Sequence, residues 1–205
     1  MIRFSSLVVS LVAFFVTFGC SRSPHGITPP HVDPKEAATF AVSMYDADQN
    51  GSLNQAELAS CPGMLSELKS YDADKNGMIS ADEIAARITE LRKLGVGMTR
   101  LNCNVTVNGR AIQGAQVELE PEPYLGDEMK TARGVTNAQG VAQLAISPDD
   151  LPSHIKDLKG VHYGTYKVRV THPSVNLPAK YNTATTLGYE SRPGDPSVSV
   201  ALKTP

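Results

Sequence analysis

Two twelve-residue segments of the chain repeat the same arrangement of oxygen-bearing side chains. DADQNGSLNQAE runs from Asp46 to Glu57 (loop 1), and DADKNGMISADE runs from Asp72 to Glu83 (loop 2), 26 residues further on. Each segment has aspartate or asparagine at positions one, three and five, glycine at six and glutamate at twelve. Carboxylate and amide oxygens are hard ligands that suit a cation of the size of Ca²⁺, and neither segment holds a thiolate or imidazole that would favour zinc or copper. The repetition predicts one kind of ion bound twice.

Both loops match the EF-hand pattern over its whole length. This resemblance implies side-chain oxygens at positions one, three and five, a backbone carbonyl at seven, a direct or water-mediated ligand at nine and a bidentate glutamate at twelve. We therefore expect two Ca²⁺ ions. The expected ligands are Asp46, Asp48, Asn50, Ser52, Asn54 and Glu57 in loop 1, and Asp72, Asp74, Asn76, Met78, Ser80 and Glu83 in loop 2.

The residues around the sixth position of each loop predict its backbone shape. Gly51 and Gly77 stand where the chain must turn sharply, at a position that tolerates positive φ. Leu53 and Ile79 follow two residues later. In paired EF-hands an aliphatic residue there joins the two loops through a short β-ribbon, so we expect the loops to pair.

Helix signals flank both loops. Asp33 as N-cap, Pro34 in the first turn and Glu36 as a capping-box acid predict a helix that leads into loop 1. Cys61 to Gly63 interrupt the exit from loop 1, and Ser80 with Glu83 form a capping box after loop 2. The expected apolar faces are Phe40, Ala41, Met44 and Tyr45 before loop 1, Met64, Leu65, Leu68 and Tyr71 before loop 2, and Ile84, Ile88, Leu91 and Leu94 after it.

The pattern changes to alternating apolar and polar residues in the second half of the chain. Gly95 and Gly97 predict a hinge over 96–100, and Asn108 with Gly109 predict a hairpin turn. Further strands are expected at Gly134–Thr136, Val141–Ile146, Gly164–Thr171 and Ser197–Lys203. The sequence therefore predicts an α+β multidomain protein, with a helical pair over 33–95 and an all-β, Ig-like sandwich over 101–205.

The second half resembles the carboxypeptidase-regulatory or transthyretin-like domains. The resemblance rests on VTVNGRAIQGAQVELEP, GVTNAQGVAQL and YGTYKVRVTHP. The family implies adhesion, spacing or accessory binding more often than catalysis. His154, His162 and His172 are scattered and no nucleophile stands in a G-x-S-x-G setting, so we expect no enzymatic activity. The histidines are interpreted as surface or strand-end residues, with a metal site at His162 and His172 as the alternative.

The first 32 residues predict export. Arg3 and the apolar run Leu7 to Phe18 are typical of a secretory signal over 1–19, and Gly19 before Cys20 resembles the lipobox of bacterial lipoproteins. That resemblance implies a diacylated Cys20, a membrane anchor and a cell-envelope location, and ordinary signal cleavage is the alternative. The proline-rich residues 20–32 are expected to form a flexible tether. An exported compartment permits a disulfide between Cys61 and Cys103, with free buried thiols as the alternative.

Charge narrows the choice of partners. A formal net charge of -2 over 205 residues, with no basic cluster, gives no general attraction to nucleic acid. The sequence favours a calcium-binding, lipid-anchored envelope protein without catalytic activity, in which calcium is a structural clamp rather than a signal. The alternatives are a calcium-dependent recognition module for a polysaccharide or protein, and an accessory domain to an envelope hydrolase.

Overall fold

Helices occupy the first part of the chain and strands the second, so the fold is α+β. The computed structural model describes residues 29–93 and 97–204. The predicted signal, Cys20 and the tether as far as residue 28 lie outside the described residues, as does Leu94. The helices are α1 (Pro34–Tyr45), α2 (Gln55–Leu58), α3 (Pro62–Leu65), α4 (Leu68–Tyr71) and α5 (Ala81–Lys93). The strands are β1 (Ser52–Leu53), β2 (Ile79–Ser80), β3 (Met98–Thr99), β4 (Leu101–Val107), β5 (Arg110–Ala111), β6 (Gln116–Pro121), β7 (Ala132–Val135), β8 (Val141–Ile146), β9 (Val161–His162), β10 (Gly164–Thr171), β11 (Gly188–Ser191) and β12 (Ser197–Leu202).

Helix α1 begins as the sequence predicts, but only part of its predicted apolar face, Ala41 and in part Tyr45, is buried. The Asp33 carboxylate accepts the backbone N–H groups of Lys35 and Glu36, each at 2.9 Å. Phe40 is 49% exposed and Met44 39% exposed, so the predicted apolar face is wrong for these two residues. The buried side chains are those of Ala37, Ala38 and Ala41. These small side chains let α1 pack closely against α5. The close contact, rather than burial of the largest apolar side chains, decides which face of α1 is turned inwards.

Three helices of four residues each connect the two loops. The break predicted at Cys61 to Gly63 separates α2 from α3, and a second break at Ser66 and Glu67 divides the single helix that we expected before loop 2. Met64 and Tyr71 are buried as predicted. Leu65 and Leu68 are only partly buried.

Helix α5 follows loop 2 and confirms the predicted apolar stripe as far as the structure describes it. Ile84, Ile88 and Leu91 are buried. Ser80 and Glu83 form the predicted capping box, with the Ser80 N–H donating to Glu83 Oε2 at 2.8 Å and the Glu83 N–H donating to Ser80 Oγ at 3.3 Å.

Strands β4–β8 and β10–β12 form one curled, mostly antiparallel sheet. Its strand order is β11-β10-β6-β7-β8-β4-β12, with β5 paired to β4, and only β12 and β4 run parallel among the described pairs. Two separate sheets were expected. They are joined here because β7 pairs with β6 on one edge and, through two residue pairs, with β8 on the other. Alternate residues such as Leu101, Cys103 and Val105 point into the core.

The hairpin turn is confirmed. Asn108 has φ 51° and Gly109 has φ 78°, the left-handed values that a two-residue turn between antiparallel strands requires. The turn joins β4 to β5, which pair through Val107 and Arg110. Strands β8 and β10 have the predicted bounds, whereas β11 was not predicted.

The segment expected to be a hinge is partly a strand. Met98 pairs with His162 and Thr99 pairs with Val161, and Met98 is buried. The period-two pattern could not reveal this pairing, because each partner is only two residues long.

Helix α3 lies directly on the sheet. A Cβ atom added to Gly188 of β11 would stand 1.7 Å from the carbonyl oxygen of Pro62, and one added to Gly63 would stand 2.8 Å from the backbone nitrogen of Tyr166 in β10. The missing side chains allow this approach. The buried apolar residues of the helices and of the sheet consequently form a single hydrophobic cluster.

Cys61 and Cys103 are free and buried, which is the alternative to the disulfide that an exported compartment would permit. Cys61 precedes α3, which packs on β10 and β11. Cys103 lies in β4, between Ala142 of β8 and Val198 of β12. Four strand-to-strand steps separate β10 from β4 in the sheet order. Among the described helices, none is long and apolar enough to cross a membrane.

Candidate metal centre

Each predicted loop brings three carboxylates together. Oxygens of Asp46, Asp48 and Glu57 lie within 4.8 Å of one another, and those of Asp72, Asp74 and Glu83 do the same. The loops are held by helices on both sides: α1 ends at the residue before Asp46, α4 ends at the residue before Asp72, and α2 and α5 contain the two glutamates. Positions one, three and twelve therefore converge as the pattern predicts.

Backbone N–H groups hold the first carboxylate of loop 1 in place. Asp46 Oδ2 accepts the Gly51 N–H at 2.8 Å, and Asp46 Oδ1 accepts the Asn50 N–H at 3.2 Å. The Ala47 N–H donates to Glu57 Oε1 at 2.8 Å, which ties the end of the loop to its beginning.

Loop 2 repeats this network position by position. Asp72 Oδ2 accepts the Gly77 N–H at 2.9 Å, and Asp72 Oδ1 accepts the Asn76 N–H at 3.0 Å. The Ala73 N–H donates to Glu83 Oε1 at 2.9 Å. Two segments of different sequence thus adopt one geometry, because the residues that they share are the ones that make these bonds.

The turn within each loop uses two left-handed residues where the sequence predicts one. Gly51 and Gly77 have φ values of 83° and 82°, as expected. Gln49 and Lys75, at position four, also have positive φ, 59° and 63°. A side chain in this region costs on the order of 1 kcal/mol, which the hydrogen bonds around the turn offset.

A short antiparallel ribbon joins the loops. Leu53 pairs with Ile79 and Ser52 pairs with Ser80, and both aliphatic side chains are fully buried. This confirms the predicted pairing and fixes the two carboxylate clusters relative to each other.

The remaining predicted ligands lie along the same turns. Asn50 Oδ1 accepts the Ser52 N–H, and Asn76 Oδ1 accepts the Met78 N–H, so each amide side chain points into its own loop. Asn54 caps α2 and forms a capping box with Glu57 that the sequence analysis missed. The sequence signal for this capping box was a short polar residue, Asn54, three positions before a glutamate.

The loop environment favours ionised carboxylates. Desolvation raises the pKa of Asp46, but the N–H groups of Gly51 and Asn50 outweigh it and leave that pKa below its usual value. Desolvation likewise raises the pKa of Glu83, and hydrogen bonds from Ser80 and from the start of loop 2 lower it further than desolvation raises it. Charged carboxylates are the form that binds a metal ion.

The donor set fits a hard divalent cation. Two oxygens that each bind Ca²⁺ at 2.3–2.6 Å are at most about 5 Å apart, and the clustered oxygens meet this limit. Each carboxylate oxygen of Asp46 and of Asp72 accepts one N–H group and keeps a second lone-pair direction for an ion. Both clusters could therefore hold a metal ion through oxygen atoms.

Glu122, which directly follows β6, is a buried carboxylate. It is 0% exposed, and its Oε1 accepts the Gly63 N–H at 2.9 Å. Its Oε2 accepts the Tyr45 hydroxyl at 3.4 Å and lies 3.7 Å from Lys167 Nζ. Burial raises the pKa of Glu122, and the Gly63 N–H and the Lys167 charge oppose that rise. This carboxylate connects the helices to the end of β6.

Glu190 is the second buried carboxylate between helices and sheet. It is 1% exposed in β11 and accepts two hydrogen bonds from Arg87 of α5, one from Nε at 3.1 Å and one from Nη2. Arg192 Nη1 lies 3.9 Å from Glu190 Oε1. Burial, and after it the charge of Glu190, raises the pKa of Tyr71, the last residue of α4. The acidic residue in a short strand carried no sequence signal of this role.

His162 and His172 lie before and after the eight-residue strand β10, at its opposite ends, so the structure does not bring them together at a metal site. His162 is the last residue of β9, a strand end as expected, but it is buried rather than on the surface, and neither ring nitrogen has a hydrogen-bond partner. His172 is half-buried, and its Nε2 lies 2.9 Å from the carbonyl oxygen of Gln113. Burial lowers the pKa of His162 to about 4, so its ring is neutral at pH 7.

Comparisons with known proteins identify no family. No protein-family model matches the chain, and no curated protein matches it. Among solved structures, the chain is similar to the Bacillus anthracis TIE protein, with 15% sequence identity and a TM-score of 0.31. The match covers 52% of this chain and 16% of that protein, so the chain spans about a sixth of its length.

Proposed function

We propose that this chain is a calcium-binding protein without catalytic activity, in which loops 1 and 2 form an EF-hand pair that binds two Ca²⁺ ions. One observation carries the proposal: two loops of matching hydrogen-bond geometry each gather three carboxylate oxygens within 4.8 Å. Repulsion among the three negative charges in each loop is relieved when a divalent cation binds. The sheet of β4–β8 and β10–β12 is the structural or binding module that the calcium-binding unit supports.

Calcium is proposed to act as a structural clamp. A sensor EF-hand opens when it binds calcium and exposes an apolar groove. Here Leu53, Ile79 and Ile84 are fully buried, and α3 packs on the sheet. Opening would separate helices whose apolar residues share one cluster with the sheet. These contacts favour a closed pair whose bound ions stabilise the whole chain.

Terbium luminescence tests the two sites directly. Tyr45 and Tyr71 each precede the first ligand of a loop, and the chain has no tryptophan to interfere. We expect tyrosine excitation to sensitise Tb³⁺ emission, calcium to displace it, and a Glu57→Gln, Glu83→Gln double variant to lack it. Absence of sensitised emission from the unaltered protein would contradict the proposal.

A cell-envelope location with a lipid anchor at Cys20 is the second part of the proposal. The short apolar run before Gly19 and Cys20 supports it. Expression of the full chain in a bacterial host, followed by mass spectrometry of the mature amino terminus, should find a diacylated Cys20. A Cys20→Ser variant should leave the membrane fraction. Cleavage at another site with an unmodified cysteine would refute the anchor and leave the calcium sites unaffected.

A further inference from the structure

Loop 1 is connected to the sheet at both of its ends. Tyr45 directly precedes the first ligand, Asp46, and Gly63 lies six residues beyond the last ligand, Glu57. The Tyr45 hydroxyl and the Gly63 N–H both donate to Glu122, one to each carboxylate oxygen. A single side chain, directly after β6, therefore contacts the chain before and after loop 1.

Loop 2 has a corresponding connection. Arg87 follows the last ligand, Glu83, by one helical turn, and its guanidinium donates twice to Glu190. Tyr71 directly precedes the first ligand, Asp72, and is 2% exposed. Loop 2 is thus held by a buried carboxylate on the side of its last ligand.

Packing alone does not explain why carboxylates, rather than apolar side chains, are buried at these two positions. Burying a carboxylate is unfavourable unless it is paired and hydrogen-bonded, and both side chains here are 0% exposed. Apolar residues of similar volume would fill the same space. What the carboxylates add is a fixed position for the residues that flank the loops.

We propose that Glu122 and Glu190 are positioning residues for the two calcium sites, Glu122 for loop 1 and Glu190 for loop 2. An EF-hand loop binds its ion tightly when its first and twelfth ligands are already at the correct separation, because less binding energy is then used to order the chain. Each carboxylate supplies this order from the sheet. By linkage, the factor by which packing of the helices on the sheet strengthens ion binding is also the factor by which a bound ion favours that packing. The inference rests on the proposed calcium function.

Calcium titration calorimetry on single-site proteins tests the assignment. Glu83→Gln isolates loop 1, and Glu57→Gln isolates loop 2. Adding Glu122→Leu should weaken calcium binding at loop 1 by about fivefold or more and leave loop 2 within about twofold. Adding Glu190→Leu should do the reverse. A merely structural role would lower the melting temperature without this loop-by-loop selectivity.

Matched controls exist for both residues. Glu120 lies two residues before Glu122 in β6 and bonds to Arg169, and Glu90 also pairs with Arg87 but is 64% exposed. Glu120→Leu and Glu90→Leu should leave both affinities within about twofold. If a leucine variant fails to fold, Glu122→Gln and Arg87→Lys keep the volume and should give smaller losses at the same loops.

The outcomes separate the two proposals. If the unaltered protein binds no calcium, the proposed function fails and the positioning role fails with it. If it binds two ions, and each carboxylate variant has the affinities of its control, the positioning role alone is overturned. Equal weakening of both loops by either variant would also overturn it.

Discussion

The contact of α3 with the sheet depends on a glycine, and Gly188→Ala should damage it severely. The new Cβ would stand 1.7 Å from the Pro62 carbonyl oxygen and 2.6 Å from the Gly63 nitrogen, whereas non-bonded atoms normally stay about 3.5 Å apart. Both neighbours are backbone atoms, so no side-chain rotation relieves the overlap. Helix α3 must move away from β11.

The cost has two parts. Overpacking of this kind costs roughly 1–3 kcal/mol. Moving α3 also breaks the hydrogen bond from the Gly63 N–H to buried Glu122, and a bond to a charged group contributes about 1.5–3 kcal/mol. We expect a loss of about 3–5 kcal/mol in the free energy of unfolding, which lowers the melting temperature of a domain of this size by roughly 6–20 °C.

The assay is thermal unfolding followed by circular dichroism, with Gly194→Ala as the control. Gly194 has φ 79° and no atom within 4 Å of an added Cβ, so alanine there strains the backbone without overlap and should cost only about 1 kcal/mol. Equal melting temperatures for the two variants would refute the close packing of α3 on β11.

Three further predictions concern calcium, pH and the first helix. With 10 mM calcium and dissociation constants of about 10⁻⁴ to 10⁻³ M, each occupied site should add roughly 1.4–2.7 kcal/mol to the free energy of unfolding. EDTA should therefore lower the melting temperature by several degrees, and the protein should unfold in one transition because helices and sheet share a core. An unchanged melting temperature would count against bound ions. His162 has a folded-state pKa of about 4, below the ordinary 6.5, so the stability that the neutral ring allows is complete above pH 6.5 and is lost as the pH falls towards 4. In chemical denaturation the free energy of unfolding of the unaltered protein should fall by about 2–3 kcal/mol more over this range than that of His162→Phe. Parallel pH profiles of the two proteins would disprove this pH dependence. Asp33→Ala removes the acceptor for two N–H groups at the start of α1 and should lower the free energy of unfolding, measured in urea, by about 1 kcal/mol. Asp33→Asn keeps an acceptor and should lower it little, so equal losses for the two variants would exclude capping.

The loops could be read from the sequence because local contacts determine them. Asp46 and Asp72 bond to N–H groups four and five residues later, and Leu53 and Ile79 pair through a ribbon of two residues per strand. Such contacts depend on short spacings that the sequence displays. The hairpin at Asn108 was predictable for the same reason.

The long-range features could not be predicted in this way. Glu122 lies 59 residues from Gly63, and Glu190 lies 103 residues from Arg87. Burial of these carboxylates depends on how α3 and α5 meet the sheet, which no local pattern encodes. Phe40 was placed on the apolar face of α1 by its spacing, but it is exposed, and the buried side chains of α1 are alanines.

The most direct test of the central claim is calorimetric titration of the mature protein with calcium. We predict a stoichiometry of two ions, one ion for Glu57→Gln or Glu83→Gln alone, and none for the double variant, because each change removes the charge of one twelfth-position ligand. A protein that is folded by circular dichroism and shows no calcium uptake at millimolar concentration would contradict the account.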